Sequence, residues 1–140
     1  MYLHRIETTP QAAGAVLRNN RARLCACVAA LQAQPDDVFI RDFPVVVTAV
    51  EAGFRHEEAL LERLGDAGLH LRRADDAVLL RALHRMLPRV EEGDVALGRQ
   101  VAEALEAVLS LPWDTLTPHR QDAGARQGGA PRQVDTRCRG

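Results

Sequence analysis

The chain has 140 residues, a length that suits one domain with one hydrophobic core. Hydrophobic residues make up 46% of the chain and aromatic residues only 4%, which favours helices packed through small and branched aliphatic side chains. The formal net charge is -1, so the chain has no overall positive charge that would attract nucleic acid or an anionic membrane. We therefore expect neither nucleic acid nor a membrane as a partner.

The cysteines and the first residues indicate where the protein is found. The cysteines are Cys25, Cys27 and Cys138, an odd number without the paired spacing of a disulfide framework or a zinc ribbon. Residues 1–11 contain no apolar leader, and no apolar run approaches the roughly 18 residues needed to span a bilayer. These features predict a cytoplasmic protein.

The first helix is predicted from Thr9, as N-cap, and Pro10, at the first helical position, to about Ala33. Its inward row consists of apolar residues at helical spacing: Leu17, Leu24, Val28 and Leu31. Asn20 and Arg21 fall within this row. A cation therefore lies on an apolar stripe.

The second helix is predicted to begin near Asp37 or Asp42 and to end at Gly65, a common C-terminal signal. Its inward face is apolar: Phe43, Val46, Val47, Val50, Phe54, Leu61 and Leu64. Glu57 completes this row, and burying its carboxylate costs several kcal/mol unless a cation or metal meets it. Glycine is unusual inside a helix, so Gly53, one turn earlier, indicates that a neighbouring backbone approaches or that a larger side chain has been lost.

The third helix is predicted from Leu69 to Val90. Its inner row mixes apolar and ionisable residues: Leu69, Arg72, Arg73, Asp76, Leu79, Leu80, Leu83 and Leu87. Arg72 and Asp76 lie one helical turn apart and share the face of the leucines. This helix therefore supplies candidate partners for the inward carboxylate of the second helix.

The fourth helix is predicted from Val95 to about Leu111, with Asp94 as its N-cap. The residues expected to be buried on it are Leu97, Val101, Leu105, Val108 and Leu109. Three large apolar residues outside these rows either form an exposed patch or, more commonly, cap the end of the helices: Phe39, Ile40 and Trp113.

Four amphipathic helices joined by short connections predict an all-α fold, an antiparallel up-down-up-down four-helix bundle. We expect this bundle to occupy residues 9–120, after an N-terminal arm of residues 1–8. The remaining residues, 121–140, are rich in Gly, Arg and Gln and are predicted to be disordered. Four ionisable residues lie in the middle of the helical stripes and are expected to form an internal ion network without net charge: Arg21, Glu57, Arg72 and Asp76.

The chain resembles the hemerythrin-like family, also called HHE cation-binding domains, which hold a metal centre at mid-height in a four-helix bundle. Residues 17–24, LRNNRARL, resemble the family pattern L-R-x-D-H-x-x-L, and residues 53–61, GFRHEEALL, resemble H-F-x-x-E-E-x-x-[LM]. Residues 65–80, GDAGLHLRRADDAVLL, resemble G-Y-P-x-L-x-x-H-R-x-E-H-x-x-L-L, and residues 108–113, VLSLPW, resemble W-L-x-x-H-[IL]. The resemblance implies a hemerythrin-like fold.

Most metal ligands of the family are substituted in this chain. Other residues occupy the positions where the family patterns have histidine: Arg21, Gly53, Arg72, Asp76 and Pro112. Of the expected ligands only Glu57 is retained, with Asp76 as a carboxylate substitute. The resemblance therefore does not transfer the family's oxygen or metal binding to this chain.

Guanidinium groups at vacated ligand positions would restore charge balance, because they form bidentate hydrogen bonds with carboxylates. We therefore expect Arg21 and Arg72 to replace the metal by pairing with Glu57 and Asp76. The alternative is that one or both arginines extend past the apolar stripe into solvent.

These features predict a non-enzymatic interaction or regulatory protein without a cofactor, with a protein partner, and either monomeric or homodimeric. The alternative is a degenerate iron-binding protein for oxygen, nitric oxide or redox sensing that uses Glu57, Asp76 and His56. An enzyme is not expected, because the sequence contains no phosphate loop, dinucleotide motif or G-x-S-x-G motif. No nucleophile accompanies the two carboxylates either.

Overall fold

The computed structural model describes residues 10–111, and all regular structure in this range is helical. The helices are α1, Pro10–Gln32; α2, Asp36–Arg63; α3, Leu69–Glu91; and α4, Val95–Leu109. Four helices and no strand within residues 10–111 confirm the all-α prediction. Each helix packs against the next, and α4 also packs against α1. The predicted arm, the end of the predicted bundle and the predicted disordered segment lie outside the described residues.

Both α2 and α3 end in a Schellman motif, in which a glycine follows the last turn of the helix. Gly65 and Gly93 have positive φ angles of 65° and 115°. In both turns the next residue donates its backbone N–H, at 3.0 Å, to the carbonyl group five positions back. The Asp94 carboxylate then accepts the backbone N–H of Leu97 at 3.1 Å, which confirms the predicted N-cap of α4.

Arg99 of α4 holds the turn between α1 and α2. Its Nη1 donates to the carbonyl of Gln32 at 2.8 Å, and its Nη2 donates to the carbonyl of Gln34 at 2.7 Å and to the carboxylate of Asp36 at 2.9 Å. The guanidinium carbon lies 4.4 Å from the ring centroid of Phe39. Because the last carbonyl groups of a helix lack partners within it, α4 completes the end of α1.

Two apolar clusters fill the interior. The larger cluster draws on all four helices and includes Val28, Phe39, Val50, Leu83 and Leu105. The smaller cluster contains Ala13, Leu17, Leu60 and Leu61. A layer of polar side chains separates the two clusters, since on α1 it falls between Leu17 and Leu24, and on α2 between Phe54 and Leu60.

The predicted buried row of α4 is wrong at Leu97, Val101 and Val108, which are only half-buried. The buried residues of this helix are Gly98, Ala102, Leu105 and Leu109. A Cβ atom at Gly98 would lie 2.7 Å from the Phe39 ring and 3.1 Å from a methyl group of Val90. Small residues therefore let α4 approach α2 and α3 closely, which turns its buried face by one residue.

Gly53 lies against a neighbouring side chain, not against a neighbouring backbone. A Cβ atom at this position would lie 2.6 Å from Cδ1 of Leu24 on α1. The leucine side chain thus occupies the space that a larger residue on α2 would need. This close contact brings the polar residues of α1 and α2 together in the layer.

The helices also bear on the predicted absence of a membrane span and on the predicted apolar patch. None of the helices within residues 10–111 is long and apolar enough to cross a membrane. Phe39 is fully buried and Ile40 half-buried, so these two residues do not form an exposed patch. Trp113 lies outside the described residues.

Gly98→Ala is expected to lower the free energy of unfolding by roughly 1–3 kcal/mol, because the added methyl group meets the rigid ring of Phe39. Gly14→Ala is the matched control, since a methyl group there meets only the flexible end of Arg18, at 3.3 Å. The control is expected to gain about 0.5–1 kcal/mol from the better helix former. Urea unfolding followed by circular dichroism measures both variants, and equal effects would contradict the close packing of α4.

Candidate functional site

Five buried polar side chains form the layer between the apolar clusters. They come from three helices: Asn20 and Arg21 of α1, Glu57 of α2, and Arg72 and Asp76 of α3. Their exposed fractions range from 1% to 7%. The structure therefore places all four residues of the predicted ion network inside the protein, where neither arginine extends into solvent.

Glu57 has the most complete set of partners in this layer. Arg21 donates from Nε to Oε2 at 2.7 Å and from Nη2 to Oε1 at 2.9 Å, a bidentate pair of charge-assisted hydrogen bonds. Asn20 donates from Nδ2 to Oε2 at 2.8 Å and also to the carbonyl of Gly53 at 3.3 Å. Both carboxylate oxygens of Glu57 are therefore satisfied by α1.

The local structure of α1 and α2 positions this pair. Asn20 and Arg21 are consecutive residues, so they present two donors to the same turn of α2. The Arg21 guanidinium carbon also lies 5.0 Å from the ring centroid of Phe54, which is close enough for a cation–π interaction. The guanidinium group is thus held by a carboxylate on one side and by an aromatic ring of the larger apolar cluster on another.

Arg72 and Asp76 make a looser contact. The distance from Arg72 Nη1 to Asp76 Oδ1 is 4.0 Å, which exceeds the length of a hydrogen bond. Asp76 Oδ2 is buried, and no hydrogen bond reaches it from the described residues. Since a buried carboxylate without hydrogen bonds is costly, this environment favours the protonated form of Asp76.

The charge states of this second pair differ from those of a simple ion pair. Burial, followed by a side-chain hydrogen bond between the protonated Asp76 and Glu58, raises the pKa of Asp76 to about 8, although Arg72 and Arg21 act in the opposite direction. Burial also lowers the pKa of Arg72, while Asp76 opposes this effect. Near neutral pH the Asp76 carboxyl is therefore mostly protonated, and the layer contains one strong ion pair rather than two.

Two residues have roles in the layer that the helical spacing did not predict: Asn20 and Glu58. Asn20 lies in the apolar row beside Arg21, which was the available signal for its contact with Glu57. Glu58 directly follows Glu57 and is half-buried, with Oε1 3.7 Å from Nε of Arg73 on α3. Nothing in the helical spacing indicated that Glu58 would lie close enough to α3 to influence Asp76.

The described residues do not assemble a donor set for an iron centre. Both oxygens of Glu57 already accept hydrogen bonds from α1. His56 is exposed and so is not part of the buried layer; it lines a groove between α1 and α2 together with Asn20. Within residues 10–111 no group of three His, Cys, Asp or Glu side chains is arranged to hold a metal ion. The alternative that uses Glu57, Asp76 and His56 therefore stays a prediction without an assembled donor set in this range.

Comparison with known proteins finds no matching family model, no matching curated protein and no matching solved structure. The resemblance to hemerythrin-like domains therefore stays a prediction from the sequence patterns. The geometry of the buried layer is the remaining basis for a functional proposal.

Arg21→Met is expected to lower the free energy of unfolding by about 3–5 kcal/mol, because it leaves Glu57 buried without its cation. The double variant Arg21→Met, Glu57→Leu is expected to recover most of this loss, since two apolar side chains can replace a buried pair. Arg55→Met is the surface control; Arg55 pairs with Glu51 at 2.6 Å in an exposed position, and its loss should cost at most about 1 kcal/mol. Additive effects of the two buried substitutions in urea unfolding would contradict the pairing.

The raised pKa of Asp76 predicts an unusual dependence of the free energy of unfolding on pH. Its pKa is about 8 in the folded protein and near the ordinary 3.8 in the unfolded chain, so folding takes up a proton between these values. The stabilisation from Asp76 is then fully present below about pH 4, declines as the pH rises and is lost above about pH 8. Asp76→Asn is expected to remove this decline in the free energy of unfolding.

Asp75→Asn is the control for the pH experiment, because Asp75 is the exposed neighbour on the same helix. This variant should keep the pH dependence of the unmodified protein. A decline between about pH 4 and pH 8 that persists in Asp76→Asn would show that another group causes it.

Proposed function

We propose that this chain is a hemerythrin-like, antiparallel up-down-up-down four-helix bundle in which an arginine–glutamate pair takes the place of the metal. In this proposal it acts as a non-enzymatic interaction or regulatory protein. The observation that carries the proposal is the buried bidentate contact of Arg21 with Glu57, at 2.7 and 2.9 Å. Glu57 matches the retained ligand of the family pattern, and Arg21 occupies a position where that pattern has histidine.

The antiparallel arrangement is supported by the connections and the packing. The helices are joined by residues 33–35, 64–68 and 92–94, which are too short to return the chain to the opposite end of a helix. Consecutive helices pack against each other, and α4 packs against α1. Both features are typical of an up-down-up-down bundle.

Charge balance supports the replacement of the metal. A carboxylate that once bound a metal becomes costly when the metal is lost, unless another cation reaches it. Arg21 supplies that cation with a fixed charge, and Asp76 avoids the same cost by holding a proton. Neither buried carboxyl group is thus left as an unpaired anion, and in this proposal function lies on the outer surface.

The proposal also covers the location, partner, cofactor and oligomeric state of the protein. We infer a cytoplasmic protein that binds a protein partner, uses no cofactor and exists as a monomer or homodimer. A buried layer of fixed geometry makes the helices a rigid support for such contacts, because its hydrogen bonds join α1 to α2.

Restoring the family's histidines tests the proposal directly. The triple variant Arg21→His, Arg72→His, Asp76→His is expected to gain binding of Fe(II) or Zn(II), because imidazole groups then join Glu57 around the middle of the bundle. Added metal should raise the thermal unfolding midpoint of this variant by mass action. The unmodified protein should show no such rise, and a chelator should not lower its midpoint.

The matched control moves the same substitutions to exposed neighbours: Arg23→His, Arg73→His and Asp75→His. This control should bind metal no better than the unmodified protein. Stoichiometric iron in the unmodified protein, together with a lower midpoint in chelator, would overturn the replacement of the metal. A folded triple variant that gains no metal would overturn the hemerythrin-like arrangement.

A further inference from the structure

The outer face of α1 carries unusually little charge. Residues 24–35 contain no charged side chain. Alanines occupy the exposed helical positions of this stretch: Ala26, Ala29 and Ala30. The solvent face of a helix normally carries charged and polar residues. We call these three alanines, with the exposed Ala22 one turn earlier, the alanine face.

A groove of about 450 Å³ lies beside the alanine face, between α1 and α2. Its apolar lining includes Leu24, Ala49 and Ala52. Arg23 and His56 line its other part, and none of the described residues that line it is acidic. An occupant that combines apolar side chains with a carboxylate would therefore complement this groove.

The described chain ends on the opposite side of α1 from this groove. Ser110 Oγ lies 3.3 Å from the Sγ atom of Cys25, whereas Cys27 lines the groove. The two cysteines are about 200° apart around the helix axis, so the alanine face separates the chain end from the groove. Half the circumference of a helix is about 17 Å, and six extended residues beyond Ser110 span about 20 Å.

The next residues have the complementary composition. Residues 112–116, PWDTL, place one carboxylate between two large apolar side chains. We propose that this segment crosses the alanine face and occupies the groove, with Trp113 on the alanines, Leu116 on the apolar lining and Asp114 beside Arg23. The outer face of α1 is then an intramolecular docking surface. The groove borders the buried layer, because Arg23 Nη2 donates to Asn20 Oδ1 at 3.2 Å, but the contact does not rest on the proposed loss of metal.

Trp113 is the sole tryptophan of the chain and therefore reports on this contact. In the full chain its fluorescence emission is expected at shorter wavelength, with weaker quenching by acrylamide, than in a free peptide of residues 110–120. Ala26→Glu on the alanine face and Ala52→Glu in the groove are each expected to return the emission and quenching towards the peptide values. Both alanines are exposed, so the helices should remain folded by circular dichroism.

Ala74→Glu is the matched control, because Ala74 is an exposed alanine on α3. It should leave Trp113 as protected as in the unmodified chain. Asp114→Asn should weaken the protection, since it removes the charge that faces Arg23.

Three results would overturn the proposal. If acrylamide quenches Trp113 as strongly in the full chain as in the peptide, Trp113 makes no contact with the alanine face. Protection that survives both Ala26→Glu and Ala52→Glu places the tryptophan elsewhere, such as at the end of the helices. Protection that disappears on dilution, together with a change in mass by light scattering, assigns the surface to a second copy of the chain.

Discussion

The bidentate contact between Arg21 and Glu57 is the interaction on which the interior of this protein depends. Glu57 is only 1% exposed, and an ionised carboxylate in that position is costly unless a cation meets it. Arg21 meets it with two hydrogen bonds, and Asn20 adds a third while also holding the carbonyl of Gly53. These bonds join α1 to α2 at one register, so the apolar clusters on either side of the layer can pack against a fixed frame.

The two buried carboxyl groups, Glu57 and Asp76, avoid the cost of a buried unpaired carboxylate in different ways. Glu57 keeps hydrogen-bonded partners on the neighbouring helix, whereas Asp76 has its nearest cation at 4.0 Å and a buried oxygen without a hydrogen bond from the described residues. Burial and Glu58 raise the pKa of Asp76 to about 8, so this group avoids the cost by remaining protonated. The interior therefore holds one ion pair, and one neutral acid beside the charged Arg72, an arrangement that links stability to pH.

Periodicity was enough to predict the helices and the burial of Glu57, because each depends on residues within one helix. The same periodicity placed Arg21, Arg72 and Asp76 inside. Periodicity could not predict the protonation of Asp76, which depends on distances to side chains of other helices. The buried row of α4 was displaced for the same reason, since the contact of Gly98 with the Phe39 ring is invisible in the pattern of one helix.

Nuclear magnetic resonance of the arginine Nε–H groups, which follows their exchange with water and their response to added metal, tests whether Arg21 takes the place of a metal. The signal is assigned by its loss in Arg21→Met, and metal is added as Zn(II), which leaves the resonances sharp. We expect the Arg21 Nε–H to exchange slowly with water, because its hydrogen bond to Glu57 is buried, and its signal to stay unchanged as Zn(II) is added. Rapid exchange, or a signal that shifts in proportion to bound Zn(II), would contradict it.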